Sequence, residues 1–208
     1  MKKAIFFLLA TVPFVACEKE PDTDKLDNEY MVFTDYDSNY SFGDAETYYI
    51  PDSILFIDRN DKQSYWTAPE AVELREMFIE NMNERYTRVY TMEEADLGLQ
   101  LSFVSTTYRF VGYGGSPWWY DYPYYWSPGY WGGYWGGWHY PYLVSYSFTT
   151  GSVIAELVAL DVTVDKKLPV IWDAYISGII NSNGKVNLSK ANTAIDQAFT
   201  QSPYLTGK

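Results

Sequence analysis

One cysteine, one histidine and a shortage of basic side chains set the first limits on this sequence. The single cysteine, Cys17, leaves no internal disulfide framework. Transition-metal sites are built from clusters of His and Cys. With one of each no such cluster exists, so no metal is expected. The single histidine, His139, lies in a Gly- and Pro-rich stretch, which removes the usual base for a serine or cysteine nucleophile. There is no phosphate loop and no dinucleotide fingerprint, so no cofactor is expected either. Fifteen Lys and Arg stand against 27 Asp and Glu, a net charge of −12. Phosphate backbones are held by basic faces, so nucleic acid is excluded as a partner.

The basic residues that are present start the chain. Lys2 and Lys3 precede an apolar run from Ala4 to Val15, too short to span a bilayer and flanked as a signal peptide is. The run ends in Phe14-Val15-Ala16-Cys17. A small residue followed by Cys resembles the lipobox of bacterial lipoproteins, with Phe14 where Leu is usual. The resemblance implies removal of residues 1–16 and lipidation of Cys17, which would also consume an otherwise unpaired thiol. Loss of Lys2 and Lys3 leaves 13 basic residues against 27 acids, a net charge near −14. Such a body does not dock electrostatically to an anionic leaflet. Residues 17–30, largely acidic and without apolar periodicity, read as a tether. "DTDKLDNE" within it is not a calcium loop, because Leu26 stands where an oxygen ligand is needed and the Gly is missing.

The folded part is expected over 31–208. "MVFTDYD" and "AETYYIP" are β-prone, and "SILFID" extends the second run after Pro51. Thr67 is placed to cap a helix with Pro69 in its first turn. Ala71, Leu74, Phe78 and Met82 recur at helical spacing opposite Glu73, Glu76, Glu80 and Glu84, about five turns in all. Leu97, Leu99, Leu101 and Phe103 alternate with Gly98, Gln100 and Ser102, as in a half-buried strand. "LVSYSFTT" alternates too. "GSVIAELVALDVTV" is apolar on both faces except at Glu156, as in a central strand. "VIWDAYISGII" puts Val170, Trp172, Ala174 and Ile176 on one face. Ser189 is placed to cap a last helix carrying Ala191, Ile195, Ala198 and Phe199. Neighbouring strands joined by short turns favour an antiparallel sheet, and two helices can cover one face of it. The expectation is an α+β fold, an antiparallel sheet with two helices on one face as a two-layer sandwich.

Four stretches resemble the bacterial lipoproteins that carry domain of unknown function 4136. They are "DYDSNYSFGDAETYYIP", "EADLGLQLSF", "GSVIAELVALDVTVDKKLPVIWDAYISG" and "ANTAIDQAFTQSPY", in that order. Two departures are Asp173-Ala174 in place of Arg-Gly after the Trp, and Ser202 where Phe often precedes the last Pro. The resemblance implies a fold and an envelope location. It implies no catalytic residue.

One enzymatic reading survives the composition, a carboxylate-dependent glycan hydrolase. Glu156, Asp161 and Asp173 lie on or beside strands. Their plainer roles are Glu156 at a sheet edge or beside an Arg, Asp161 and Asp165 in turns, and Asp173 on the solvent face.

The abundant feature is residues 112–142, where six of the eight Trp fall among nine Tyr, eight Gly and four Pro. Gly and Pro at this density forbid a long helix and disfavour a regular strand. The segment interrupts what otherwise reads as a hairpin, so it is an insertion at a hairpin tip. Its rings, Trp118, Trp119, Tyr124, Tyr125, Trp126, Trp131, Trp135 and Trp138, are the candidate binding residues. Four uses compete. The rings pack on one another or on the sheet edge, stack on glycan, sit at the headgroup level of a bilayer, or meet a protein partner. The contrast between an acidic body and a nearly uncharged aromatic segment favours a non-enzymatic envelope lipoprotein. Its partners would be the membrane, through the Cys17 lipid at the outer membrane, and glycan or an envelope protein.

Overall fold

The structure is a computed structural model that describes residues 30–57, 64–105, 138–139 (backbone only), 151–163 and 167–207. Its elements in chain order are β1 (Met31–Tyr36), β2 (Thr47–Tyr49), β3 (Leu55–Ile57), α1 (Pro69–Asn83), β4 (Thr87–Arg88), β5 (Leu97–Val104), β6 (Trp138–His139), β7 (Ser152–Ala159), β8 (Leu168–Ser177) and α2 (Leu188–Thr200).

Seven strands form one mixed sheet, not the antiparallel one expected. Along β1-β8-β7-β5 the pairing is antiparallel. On the far edge of β5 the pairing turns parallel. β2 lies beside Leu97 and Gly98, and β3 beside Ser102 to Val104. The reason is α1. A helix between β3 and β5 returns the chain to the same end of the sheet, and such a crossover gives parallel neighbours. The run after Pro51 does continue along the edge that β2 begins, as a separate strand. β6 is a short eighth strand pairing in parallel with Leu168 and Pro169 at the start of β8.

Both helices rest on one face, as anticipated. Leu74, Phe78 and Met82 of α1 share a buried cluster with Ala191, Ile195, Ala198 and Phe199 of α2 and with Leu97, Leu99 and Leu101 of β5. α1 has 15 residues, about four turns rather than five. Its N-cap is Ala68, which leaves Thr67 outside the helix and no side-chain cap. The cap of α2 is Asn187, whose Oδ1 accepts from the Lys190 N–H at 3.1 Å, and Ser189 lies inside the first turn. Asn fills this role as well as Ser does.

A register shift between Leu157 and Val158 alters β8. Ile171 and Trp172 both enter the helix-side cluster, while Val170 faces away, so the expected Val170–Trp172 face is broken at that bulge. Trp172 is fully buried, and its Nε1–H donates to Ser202 Oγ at 2.9 Å. Ser202 Oγ in turn donates to the Ala198 carbonyl at 2.9 Å. That gives the departure at Ser202 a structural role.

The other sheet face is buried as well. β5, β7 and β8 are buried at every residue, so β5 is not half-buried and the sheet does not turn a solvent face outward along these strands. Val104, Ile154, Val158 and Tyr175 lie on this second face, outside the helix-side cluster. β2 is fastened by Asp96. Its Oδ2 accepts from the N–H of Glu46 at 2.8 Å, the N–H of Thr47 at 2.9 Å and the Thr47 hydroxyl at 3.0 Å.

Candidate functional site

Three chain features meet at one end of the sheet. Val104, the last residue of β5, pairs with Ser152, the first of β7, so the inserted segment leaves and rejoins the sheet there. β5 pairs with β7, whereas the sequence suggested "LVSYSFTT", the strand next after the aromatic segment, as its hairpin partner. Val153 lies beside Ile176 and Met31 beside Ser177, so the tether also joins the sheet at this end.

A cleft of about 510 Å³ opens at the same end. Its ring-bearing wall comes from three elements. Phe56 is in β3, Phe103 in β5, and Trp66 lies just ahead of α1. Trp66 stacks on Phe103 with centroids 4.3 Å apart and planes 11° apart. Phe56 lies 6.2 Å from Phe103 at 12°. Backbone bonds hold these rings in place. The Trp66 N–H donates to the Ile54 carbonyl and the Phe56 N–H to the Ser64 carbonyl, both at 2.9 Å. Offset parallel rings at such distances attract beyond their buried area.

The opposite wall is the turn after β8. Asn181 Oδ1 accepts from the N–H groups of Asn183 and Lys185, each at 3.0 Å, and Gly184 takes a φ of +74°. Ile180 and Val186 bridge its base. The turn sets Lys185 on the cleft, with Glu70 of the first turn of α1 also lining it. Gly151 forms part of the floor at φ +76°. Sequence reasoning did not select Trp66, Phe56 or Phe103. A Trp just before a Thr-Ala-Pro helix start, away from the aromatic run, was the available signal.

Of the sequence-selected rings, Trp118, Trp119, Tyr124, Tyr125, Trp126, Trp131 and Trp135 lie outside the described residues, as do Cys17, Asp165 and "LVSYSFTT". Trp138 belongs to β6, whose backbone pairs at the opposite end of β8 from the insertion's roots.

The acids are placed differently from expectation. Glu156 lies on the central strand β7 and not at a sheet edge, and Asp173 does not face solvent. Asp35, Asp173, Glu156 and Gln100 stand side by side across β1, β8, β7 and β5. Glu156 and Asp173 retain 0% and 1% of their exposure. The alternation of β8 had already placed Asp173 opposite Trp172 and Ala174. The error lay in taking that face as wet. Carboxylates directly opposite one another repel, and buried charge is costly, so the row depends on hydrogen bonding. Gln100 Nε2 donates to Glu156 Oε2 at 3.3 Å, and Gln100, Glu156 and Asp173 all have further partners. Asp161 is exposed. Among the described residues no group of three or more His, Cys, Asp or Glu is placed to hold a metal.

The sequence profile described as Domain of unknown function (DUF4136) matches residues 32–204. The fold is similar to the crystal structure of a DUF4136 family protein from Bacteroides thetaiotaomicron VPI-5482, with a TM-score of 0.75 and 43% identity. That likeness covers 85% of this chain and 97% of the other. A distant likeness, TM-score 0.41 and 13% identity, runs to the PelC dodecamer of Paraburkholderia phytofirmans, over 86% of this chain and all of that one. Protein XCC0632 of Xanthomonas campestris, of family DUF330, is more distant still at a TM-score of 0.28 and 12% identity, over 84% and 87% of the two chains. No curated protein matches the sequence. With the profile spanning the whole described sheet and both helices, the chain belongs to the DUF4136 family.

Proposed function

We propose that this chain is a cell-envelope lipoprotein, anchored through Cys17 at the outer membrane, that acts as a non-enzymatic binding module. Its binding end is the end of the sheet that carries the tether and the roots of the aromatic insertion. The observation that carries this reading is that Ser105 and Gly151, at the roots of the insertion, line one cleft together with its parallel rings, while Met31 begins β1 at the same end of the sheet. A lipid on Cys17 and a tether of 13 residues would keep that end within about 45 Å of the bilayer. Envelope glycan, headgroups and membrane proteins all lie within that reach.

Two features support binding over carboxylate-based hydrolysis. Glu70 is the one acid lining the cleft among the described residues. Glu156 and Asp173 sit within the sheet, not in the cleft.

The test is tryptophan fluorescence of the soluble protein starting at Glu18, titrated with lipid vesicles, peptidoglycan fragments and neutral polysaccharides. Six of the eight Trp lie in 112–142 and a seventh lines the cleft, so the signal reports on this end. A blue shift or saturable quenching with one titrant is expected. Emission that ignores all three would overturn the reading. Cys17→Ser should move the full-length protein from the detergent phase to the aqueous phase on partitioning.

A further inference from the structure

The rings of the cleft are held by strand pairing and backbone hydrogen bonds. Phe56 and Phe103 are neighbours in register on β3 and β5, and Trp66 is held to β3 by the bond from its N–H to Ile54. The Trp66 and Phe56 planes each lie within 12° of the Phe103 plane. Binding is strongest where the contact groups need no ordering on contact. A rigid set of flat faces therefore suits a rigid, flat-sided ligand.

The chemistry of the rim narrows the ligand further. One carboxylate, Glu70, and one ammonium, Lys185, line the cleft among the described residues, so the rim carries both signs. The whole chain is at −12, which repels polyanions. An acyl chain would leave both rim charges facing hydrocarbon, at a desolvation cost. A hexopyranose satisfies all of these demands. One of its faces offers C–H bonds to an aromatic plane, and its equatorial hydroxyls can donate to a carboxylate and accept from an ammonium. The volume, about 510 Å³, falls within the usual range of small-ligand clefts.

We propose that this cleft is a binding site for a neutral hexopyranose unit of envelope glycan. Trp66 supplies the stacking face, with Glu70 and Lys185 holding the hydroxyls. The proposal rests on the binding-module reading and gives its ligand class.

Isothermal titration calorimetry on the protein starting at Glu18 tests it, with tetramers of N-acetylglucosamine and of glucose as probes. Polygalacturonate and a medium-chain fatty acid serve as the anionic and acyl comparisons. Saturable binding of a neutral tetramer is expected, with neither comparison competing. Trp66→Ala should weaken it about tenfold, the loss of one stacked ring, and Trp66→Phe should restore most of it. Because Trp66→Ala also removes packing on Phe103, Lys185→Ala and Glu70→Gln serve as rim variants that leave the stack whole. Each should weaken binding several-fold. The proposal is overturned if no neutral tetramer binds, if the fatty acid takes the site instead, or if Trp66 and both rim variants bind like the parent. Should those variants bind normally while removal of 112–142 abolishes binding, the cleft is wrong and the binding-module reading stands. If the intact protein binds no envelope material of any kind, both fail.

Discussion

Gly151→Ala should destabilise the fold by two separable mechanisms, and a second substitution should remove only one. Gly151 immediately precedes β7 at the floor of the cleft with φ +76°, and its N–H donates to the Val104 carbonyl at 2.8 Å. An L-residue in that conformation costs about 1–2 kcal/mol. A Cβ there would also meet three atoms of Ile180, Cγ2 most closely, then Cδ1 at 2.8 Å and Cγ1 at 2.9 Å. Overpacking of that kind costs about 1–3 kcal/mol. The sum, about 2–5 kcal/mol, is a large part of a typical domain's stability. All three clashing atoms are absent from alanine at position 180. In an Ile180→Ala background, Gly151→Ala should therefore cost only the conformational part. The double-mutant cycle should show a coupling of about 1–3 kcal/mol. Urea unfolding of the parent, both single variants and the double variant gives the four free energies. A Gly151→Ala cost below about 0.5 kcal/mol, or a cost undiminished in the Ile180→Ala background, would refute the argument.

Three further predictions concern the scaffold. Trp172→Phe removes the donor to Ser202 Oγ from a fully buried site and should cost about 1–3 kcal/mol in urea unfolding. Asp96→Ala removes the acceptor of two backbone N–H groups and one hydroxyl, and should cost about 2–3 kcal/mol with hydrogen exchange accelerated first in β2. Burial, and next the nearby charge of Asp161, push the Tyr40 hydroxyl from 10 up to about 12. Burial is also the main cause that raises Tyr48 and Tyr86. A folded pKa above the unfolded one means that the fold holds the proton more tightly. This contribution is whole below pH 10 and is lost as the pH climbs through about 12. The part of the tyrosinate absorbance that a Tyr40→Phe variant lacks should appear only as the circular dichroism falls in that range. That part appearing near pH 10 with the fold intact would contradict it.

What the sequence made legible follows from periodicity. Both helices and the central place of β7 rest on apolar spacing, which survives without tertiary context. The parallel edge was less legible. β2 and β3 are three residues each, too short to carry a pattern, and their direction comes from the α1 crossover rather than from local residues. The buried acids were misplaced because alternation tells which residues share a face, not whether that face is wet. Val170 was misassigned for a related reason, since a bulge breaks period two without altering composition. The cleft was hidden because Phe56, Trp66 and Phe103 come from three separate stretches that only the fold brings together.

The central claim is that this aromatic end is the part that engages the envelope. Its most direct test is co-sedimentation of the lipid-free protein, intact and lacking 112–142, with isolated peptidoglycan sacculi and with vesicles. The intact protein should pellet with one of them. The shortened form, which keeps the cleft of Trp66, should pellet several-fold less with an unchanged unfolding midpoint. A shortened form that pellets as fully as the intact one would contradict the claim.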